Sequence, residues 1–307
     1  MSNTEVGRIS VETPALARVP EVIITTRKQK ARSYQIPRMN RCLIRVPLDT
    51  TIHNTALSFA CLNVCSLKNK GTGIYDFLFE SSTDIFAITE SWLSTEEEEN
   101  LSCYATMLPE GYKISHIPRS TGIRGARVAV IYKDNLKLKI KKSSNSPDSN
   151  ISTFEFMDCS ISSISNRTIQ FIVVYRPSPS KSNKLKTKDF WDEWSMFLSS
   201  LSWNHRDCII TGDMNFHLED KKKRHTARFL KTLDEFGLVQ LVSEPTHAAG
   251  HLLDVLITTK EGHSIIMSSV TVYDANISNN HGHTALNRHY MIKWYSTLSK
   301  PAALEKL

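Results

Sequence analysis

With 307 residues, 40% hydrophobic and 22% charged, the chain has ordinary globular composition and length enough for one large domain or two small ones. Its six cysteines (Cys42, Cys61, Cys65, Cys103, Cys159, Cys208) include no Cys-x-x-Cys pair, which argues against zinc and a disulfide framework and for a reducing interior. No apolar run approaches membrane-spanning length and no signal peptide opens the chain, so the expectation is a soluble intracellular protein of the nucleus or cytoplasm, with no membrane partner.

The formal charge of +7 is unevenly placed. Residues 1–50 carry nine Lys/Arg against four acids. Residues 1–54 are polar, basic and dotted with Pro14, Pro20, Pro37 and Pro47, and read as a mostly disordered arm. Such an arm suits loose attraction to phosphate backbones, or is simply a solvated tail.

From Ala56 short apolar runs alternate with amphipathic stretches. Leu57–Leu62 reads as a strand ending at Asn63, 74–79 as a short helix, and Asp84–Ile88 as a buried strand ending at Thr89-Glu90. Ser94-Thr95-Glu96-Glu97 has capping-box spacing and predicts a helix start. Arg127–Tyr132 and Leu136–Ile140 read as two strands of a hairpin or meander, the second with clean alternation. Phe154–Met157 and Ile169–Val174 continue the strands. Trp191, Trp194, Phe197, Leu198 and Leu201 share one helical face, as do Phe229, Leu230, Leu233 and Phe236, where Gly237 stops the helix. Cys208–Ile210, Leu252–Ile257 and His289–Trp294 read as further strands. The pattern predicts an α/β or α+β fold with packed sheets and helices outside.

Several of these strands end on a polar residue, and strand ends gathered at one rim are where sites form in layered folds. After Cys208–Ile210, Asp213 and Asn215 sit two residues apart and can face one reacting group, or simply make a turn. Glu90 offers a carboxylate for Mg²⁺, which keeps few protein ligands, or is a solvated strand end. Asn63 can orient a ligand or a phosphate oxygen, and is otherwise a turn residue. Tyr175 and Arg176 close a strand with groups able to contact a phosphate; core packing is the alternative for Tyr175. Asp254 lies inside an apolar run, where a carboxylate calls for a partner; His247, His251 and His289 are the histidines that could supply one. An Asp–His pair is the arrangement phosphodiester cleavage needs.

Taken together, Leu62–Leu67, Ile88–Leu93, Val174–Pro177, Gly212–Asn215 and Pro245-Thr246-His247 with Gly250–Asp254 come in the order of the endonuclease/exonuclease/phosphatase superfamily. They most resemble the apurinic-type endonuclease domain of LINE-type (non-LTR) retrotransposons, with Thr246-His247 through Ile257 and the closing Leu298–Pro301 pointing to that branch. The resemblance implies a four-layer α/β/β/α sandwich (DNase I-like), two packed mixed β-sheets flanked by helices, over residues 55–298, between the arm and a tail at 299–307. It implies DNA nicking that depends on Mg²⁺, with Mn²⁺ as the alternative. Glu90 and Asn63 then serve the metal, and Asp213 and Asn215 align water and phosphate. Tyr175 contacts the phosphate, Asp254 supports the site, and Arg176, Thr246 and His247 fall to phosphate or DNA binding. The partners implied are DNA and a reverse transcriptase domain in the parent element, with the protein itself a monomer.

The family closes on a Ser-Asp-His before its last strand, and the best match is Asn287-Arg288-His289. His289 is kept, but Arg288 stands where the acid belongs. An arginine there repels a protonated ring and lowers its pKa, so the expectation is weakened activity. His281 and His283 are alternative matches, neither preceded by Asp; Gly125-Ala126-Arg127 and Met214 are smaller departures. The other readings are a catalytically dead DNA-binding remnant and a phosphatase or repair nuclease of the same superfamily.

Overall fold

The computed structural model describes residues 56–117, 127–162, 168–201, 208–261, 264–266, 269–277 and 289–297. The basic arm, Gly125-Ala126, His281, His283, Asn287-Arg288, Leu298–Pro301 and the 299–307 tail lie outside the described residues.

In chain order the first part runs β1 (Ala56–Asn63), α1 (Gly71–Ser81), β2 (Ile85–Thr89), α2 (Glu97–Met107), β3 (Tyr112–His116) and β4 (Ala129–Lys133). Then come β5 (Lys137–Ser143), β6 (Glu155–Ser162), β7 (Thr168–Tyr175), α3 (Thr187–Ser200), β8 (Cys208–Asp213) and α4 (Arg224–Glu235). The chain closes with β9 (Leu238–Gln240), β10 (Asp254–Thr259), β11 (Thr271–Tyr273) and β12 (Met291–Thr297). Two six-stranded mixed sheets result, in the orders β11-β12-β1-β2-β4-β3 and β5-β6-β7-β8-β10-β9. Each has one parallel pair at its centre, β1 with β2 and β7 with β8.

Side chains on a strand alternate between faces, and β1 shows what this builds. Phe59 and Cys61 join the core between the sheets, whereas Ala60 and Leu62 face the other way, with Ile74 and Leu78 of α1 and Met107 of α2. Phe59 stacks on Trp294 of β12 at 5.3 Å and meets Phe171 of the second sheet at 5.5 Å. On the far side of the second sheet α3 lays down Phe190, Trp194 and Phe197, with Phe156 of β6 4.8 Å from Phe197. Phe229 of α4 joins them beside Trp194. The layers are therefore helix, sheet, sheet, helix, the four-layer sandwich expected. Gly237, at φ +68°, ends α4 as its sequence suggests, since a left-handed residue there favours glycine.

Two expectations fail. β4 and β5 are not a hairpin: β4 pairs with β2 and β3, whereas β5 pairs with β6 in the other sheet. The short connection between them is where the chain changes sheet. The capping box at Ser94 does not form either. The buried Asn100 side chain instead clamps Ser94, accepting its N–H at 2.7 Å and donating to its carbonyl at 3.0 Å, and α2 starts at Glu97. Among the described residues no helix is long and apolar enough to cross a membrane.

Phe59 sits where both sheets share one contact, so Phe59→Ala leaves a cavity that neither sheet can close alone. The expected loss is about 3–5 kcal/mol of unfolding free energy, read from urea denaturation. A loss below about 1 kcal/mol would show that the sheets close up freely at this point.

Candidate active site

Parallel strands end at the same edge, and the register puts the polar ends side by side. Asn63 pairs with Thr89 across β1 and β2, and Tyr175 with Asp213 across β7 and β8. Antiparallel β10 begins at Asp254 directly opposite Asp213. His289, just ahead of β12, forms an isolated bridge with His247. Thus the ends of four strands and the beginnings of two carry the whole set. Gly212 makes the turn into Asp213 feasible: at φ +138°, a Cβ there would lie 1.8 Å from the Val174 carbonyl oxygen.

Asp213 is fully buried, and its oxygens are heavily engaged. Oδ1 accepts the Asn215 N–H at 2.8 Å; Oδ2 accepts from Asn63 Nδ2 at 2.9 Å and from Asn215 Nδ2 at 3.1 Å. The Asn63 amide also donates to Glu90 Oε1 at 2.9 Å, so one carboxamide joins two carboxylates. The Cys65 N–H, donating to Asn63 Oδ1 at 3.0 Å, fixes which way the amide points. On the other flank His289 Nδ1 lies 2.8 Å from Asp254 Oδ2, and its Nε2 lies 3.9 Å from Asp213 Oδ2. An acid, an imidazole and a second acid therefore stand in a row.

The backbone at this rim is bent into rarely used conformations. Cys65, Ser66, Glu90, Trp92, Arg127 and Asn215 all have positive φ without being glycine. Such residues persist only where their surroundings hold them, and they gather at functional sites. Glu90 is held on both sides: its carbonyl accepts the Ser66 N–H at 2.7 Å, and the next residue donates to the Arg127 carbonyl at 3.0 Å. Its side chain is only half-buried, unlike the two aspartates.

Burial raises the Asp213 carboxyl, and the Asp254 charge raises it further; the His289 charge and the Asn63 hydrogen bond oppose them. For His289, burial alone would pull the ring down. The charge of Asp254 and its hydrogen bond, with Asp213 and Glu90 behind, outweigh it and push the ring up to about 9. Burial also lifts the Tyr175 phenol far above its usual range, helped by the nearby charges of Glu90 and Asp213.

The oxygen-rich donor set fits a hard divalent cation, which takes few carboxylates and keeps room for water and phosphate. Glu90 and Asp213 converge on one amide, and Asp254 Oδ1 is buried without a hydrogen-bond partner. Asp213, Asp254 and His289 also lie close enough together to share an ion.

Of the residues singled out in the sequence, Asn63, Glu90, Tyr175, Asp213, Asn215, Asp254 and His289 come together. Arg176 and Thr246, expected to contact phosphate, are both buried and engaged within the protein. The Arg176 guanidinium is buried against the Phe190 and Phe216 rings and donates to the Met214 carbonyl. Thr246 is fully buried; its hydroxyl oxygen accepts the Leu253 and Asp254 N–H groups, each at 3.0 Å, and so sets the posture of Asp254. His247 stands at the edge, its ring 5.1 Å from that of His289. The weakening expected of Arg288 falls on a residue outside the described ones. The acid that bonds the His289 ring is Asp254, contributed by the other sheet, and it helps hold the ring's pKa up. Sequence reading missed Cys65, whose N–H and thiol both face Asn63 Oδ1, and Glu219, whose Oε2 accepts the Leu252 N–H at 2.9 Å. Cys65 stood inside the Leu62–Leu67 motif without a role assigned to it, and no motif signalled Glu219.

A two-sheet sandwich with carboxylates, carboxamides and an imidazole at one strand-end rim is the frame of a hydrolase of the nuclease and phosphatase kind. The chain belongs to the endonuclease/exonuclease/phosphatase family, which matches residues 60–280. Three solved structures agree with the fold. The AP endonuclease LMAP from Leishmania major is similar at TM-score 0.57 and 11% identity, over 80% of this chain and 89% of its own. The endonuclease domain of TRAS1, a telomere-specific non-LTR retrotransposon, gives 0.56 and 14%, over 80% and 100%. An AP endonuclease from Archaeoglobus fulgidus gives 0.55 and 15%, over 78% and 98%. No curated protein matches the chain in sequence.

A raised histidine pKa has a definite sign in stability. The Asp254–His289 pair contributes fully below the ordinary value of 6.5 and is lost as pH rises through about 9. Asp254→Asn removes the main attraction and leaves burial in charge, so the His289 ring should titrate near or below 6.5. Ring-proton NMR measures this directly, and an unchanged titration would show that Asp254 is not what holds the ring's charge.

Proposed function

We propose that the chain is a Mg²⁺-dependent phosphodiester hydrolase that nicks DNA, derived from the endonuclease domain of a LINE-type element. The observation that carries this is the row Asp254–His289–Asp213, with Glu90 linked to Asp213 through one amide. Glu90 would hold the metal with help from Asp213, and Mg²⁺ bound there supplies charge stabilisation for a phosphate. Asp213, made more basic by burial, takes the proton of the attacking water. Asn63 and Asn215 keep its oxygens aimed while that proton moves. His289, carrying a proton at Nε2 and fixed through Nδ1 by Asp254, donates to a phosphoryl oxygen as negative charge builds there. Tyr175, protonated at all ordinary pH values, is a second donor beside Glu90.

The likeness to the TRAS1 endonuclease domain supports the LINE branch, and the motifs Thr246-His247 through Ile257 point the same way. The excess of basic residues in positions 1–50 supports DNA as partner, in the nucleus or cytoplasm. The alternative is a catalytically dead remnant that holds DNA through its basic arm and site rim; the Asp254–His289 bond favours the active reading.

Supercoiled plasmid should be nicked in the presence of Mg²⁺ and spared under EDTA, with Glu90→Gln and Asp213→Asn inactive. Asp254→Asn should lose roughly 10³–10⁴ in rate, the scale for an imidazole left in the wrong tautomer. Arg288→Asp should gain less than about tenfold, because the ring already has its acid. Equal nicking by wild type and the Glu90 variant would sink the enzyme reading.

A further inference from the structure

A second cluster of metal-binding side chains lies outside the row of acids, on the same two chain segments. His217 and Glu219 follow Asn215, and His251 precedes Asp254. His217 Nδ1 is 3.1 Å from Glu219 Oε1, and His251 Nδ1 is 3.0 Å from the same oxygen. One donor atom from each residue lies within 4.8 Å of both others. We propose that His217, Glu219 and His251 form a separate transition-metal site of the zinc type, with two imidazoles and one carboxylate as ligands and water in the fourth position.

The donor chemistry differs from that of the first site. Two imidazoles and a carboxylate suit a borderline ion such as Zn²⁺, whereas Mg²⁺ prefers oxygen alone. The spacing is close to what such an ion needs: donors at zinc bond lengths stand about 3.4 Å apart along a tetrahedral edge. The observed separations are slightly shorter because a hydrogen bond now spans each gap. Replacing those protons by an ion calls for small outward rotations of two rings that solvent reaches. The side chains of His217, Glu219 and His251 are 42%, 30% and 39% exposed, so a hydrated ion can enter and keep a water.

The support behind the ligands is already built. Glu219 Oε2 is fixed by the Leu252 N–H, leaving Oε1, which both imidazoles face, as the ligand oxygen. The His217 carbonyl accepts the Thr226 hydroxyl at 2.9 Å, and the Leu218 N–H reaches the Leu252 carbonyl at 3.0 Å. Anchoring of this kind sets ligand direction and is worth a large factor in affinity. A bound ion joins the segment leaving Asp213 to the segment entering Asp254, and so braces the pair of buried acids. The cysteine spacing argued against zinc, but this cluster uses no cysteine.

The test is zinc titration of the full chain after EDTA treatment and dialysis, followed by competition with a chromophoric chelator and by thermal unfolding. Wild type and Glu90→Gln should each bind one equivalent of Zn²⁺ that raises Tm. His217→Gln with His251→Gln should fold with the same Tm in the absence of metal, yet bind that equivalent at least about 100-fold more weakly. Because Glu90 belongs to the other site, retention of zinc by its variant separates this inference from the nuclease reading. Unchanged zinc affinity in the double histidine variant, or binding that disappears with Glu90→Gln, overturns the proposal. If the double variant is unstable, the single His251→Gln protein is titrated with Co²⁺. Visible absorption equal to that of wild type overturns the proposal equally well.

Discussion

Two carboxylates face each other across β8 and β10 in the interior, and the molecule has to make that tolerable. Asp213 and Asp254 are paired in register, and both are almost fully buried. Uncompensated, such a pair would protonate or come apart. The compensation is the His289 ring, which bonds one acid and approaches the other. The ring belongs to the lead-in of β12, in the opposite sheet. The electrostatic solution therefore exists only if the two sheets are stacked so that their rims coincide. Phe59, Phe171 and Trp294 provide that stacking in the core between them. Packing, ion pair and site form one chain of dependence.

Strand ends make a good place for such chemistry because rigid strands fix the Cα positions while loops supply unusual directions. The loops after β1, β2 and β8 each contain residues at positive φ, and each is tied by backbone hydrogen bonds to a neighbouring loop. Strain spread over mutually bonded loops does not relax locally. The side chains of Asn63, Glu90 and Asn215 are therefore aimed before any ligand arrives, which is what electrostatic preorganisation requires.

Much of this was legible in the sequence, for a physical reason that also limits it. Apolar runs such as Phe171–Val174 and Ile209–Ile210 announce strands because burial demands them. Polar residues at their ends, Asp213 and Glu90 among them, are conspicuous for the same reason. Alternation in Leu136–Ile140 reports that a strand has two faces, but says nothing about which strand it pairs with, hence the false hairpin. The three-residue β9 and β11 are too short to carry a pattern. Asp254 asked for a partner and three histidines offered one, but which of them it meets is set across space, where His289 comes from the opposite sheet. Arg176 and Thr246 carried phosphate-binding chemistry in their side chains, and only the fold reveals that both are turned into the protein.

The same burial divides the labour among the acids. Asp213 already accepts three hydrogen bonds, so its oxygens are held in a fixed place, as the proposed role of proton acceptor requires. Glu90 keeps fewer partners and stands half-exposed, which suits the metal-holding role proposed for it. Asn63 lies between them. If Glu90 were to hold a cation, as proposed, its claim on the amide would weaken and the bond from Asn63 to Asp213 would strengthen. The carboxamide at the end of β1 thus links the two acids without carrying charge itself.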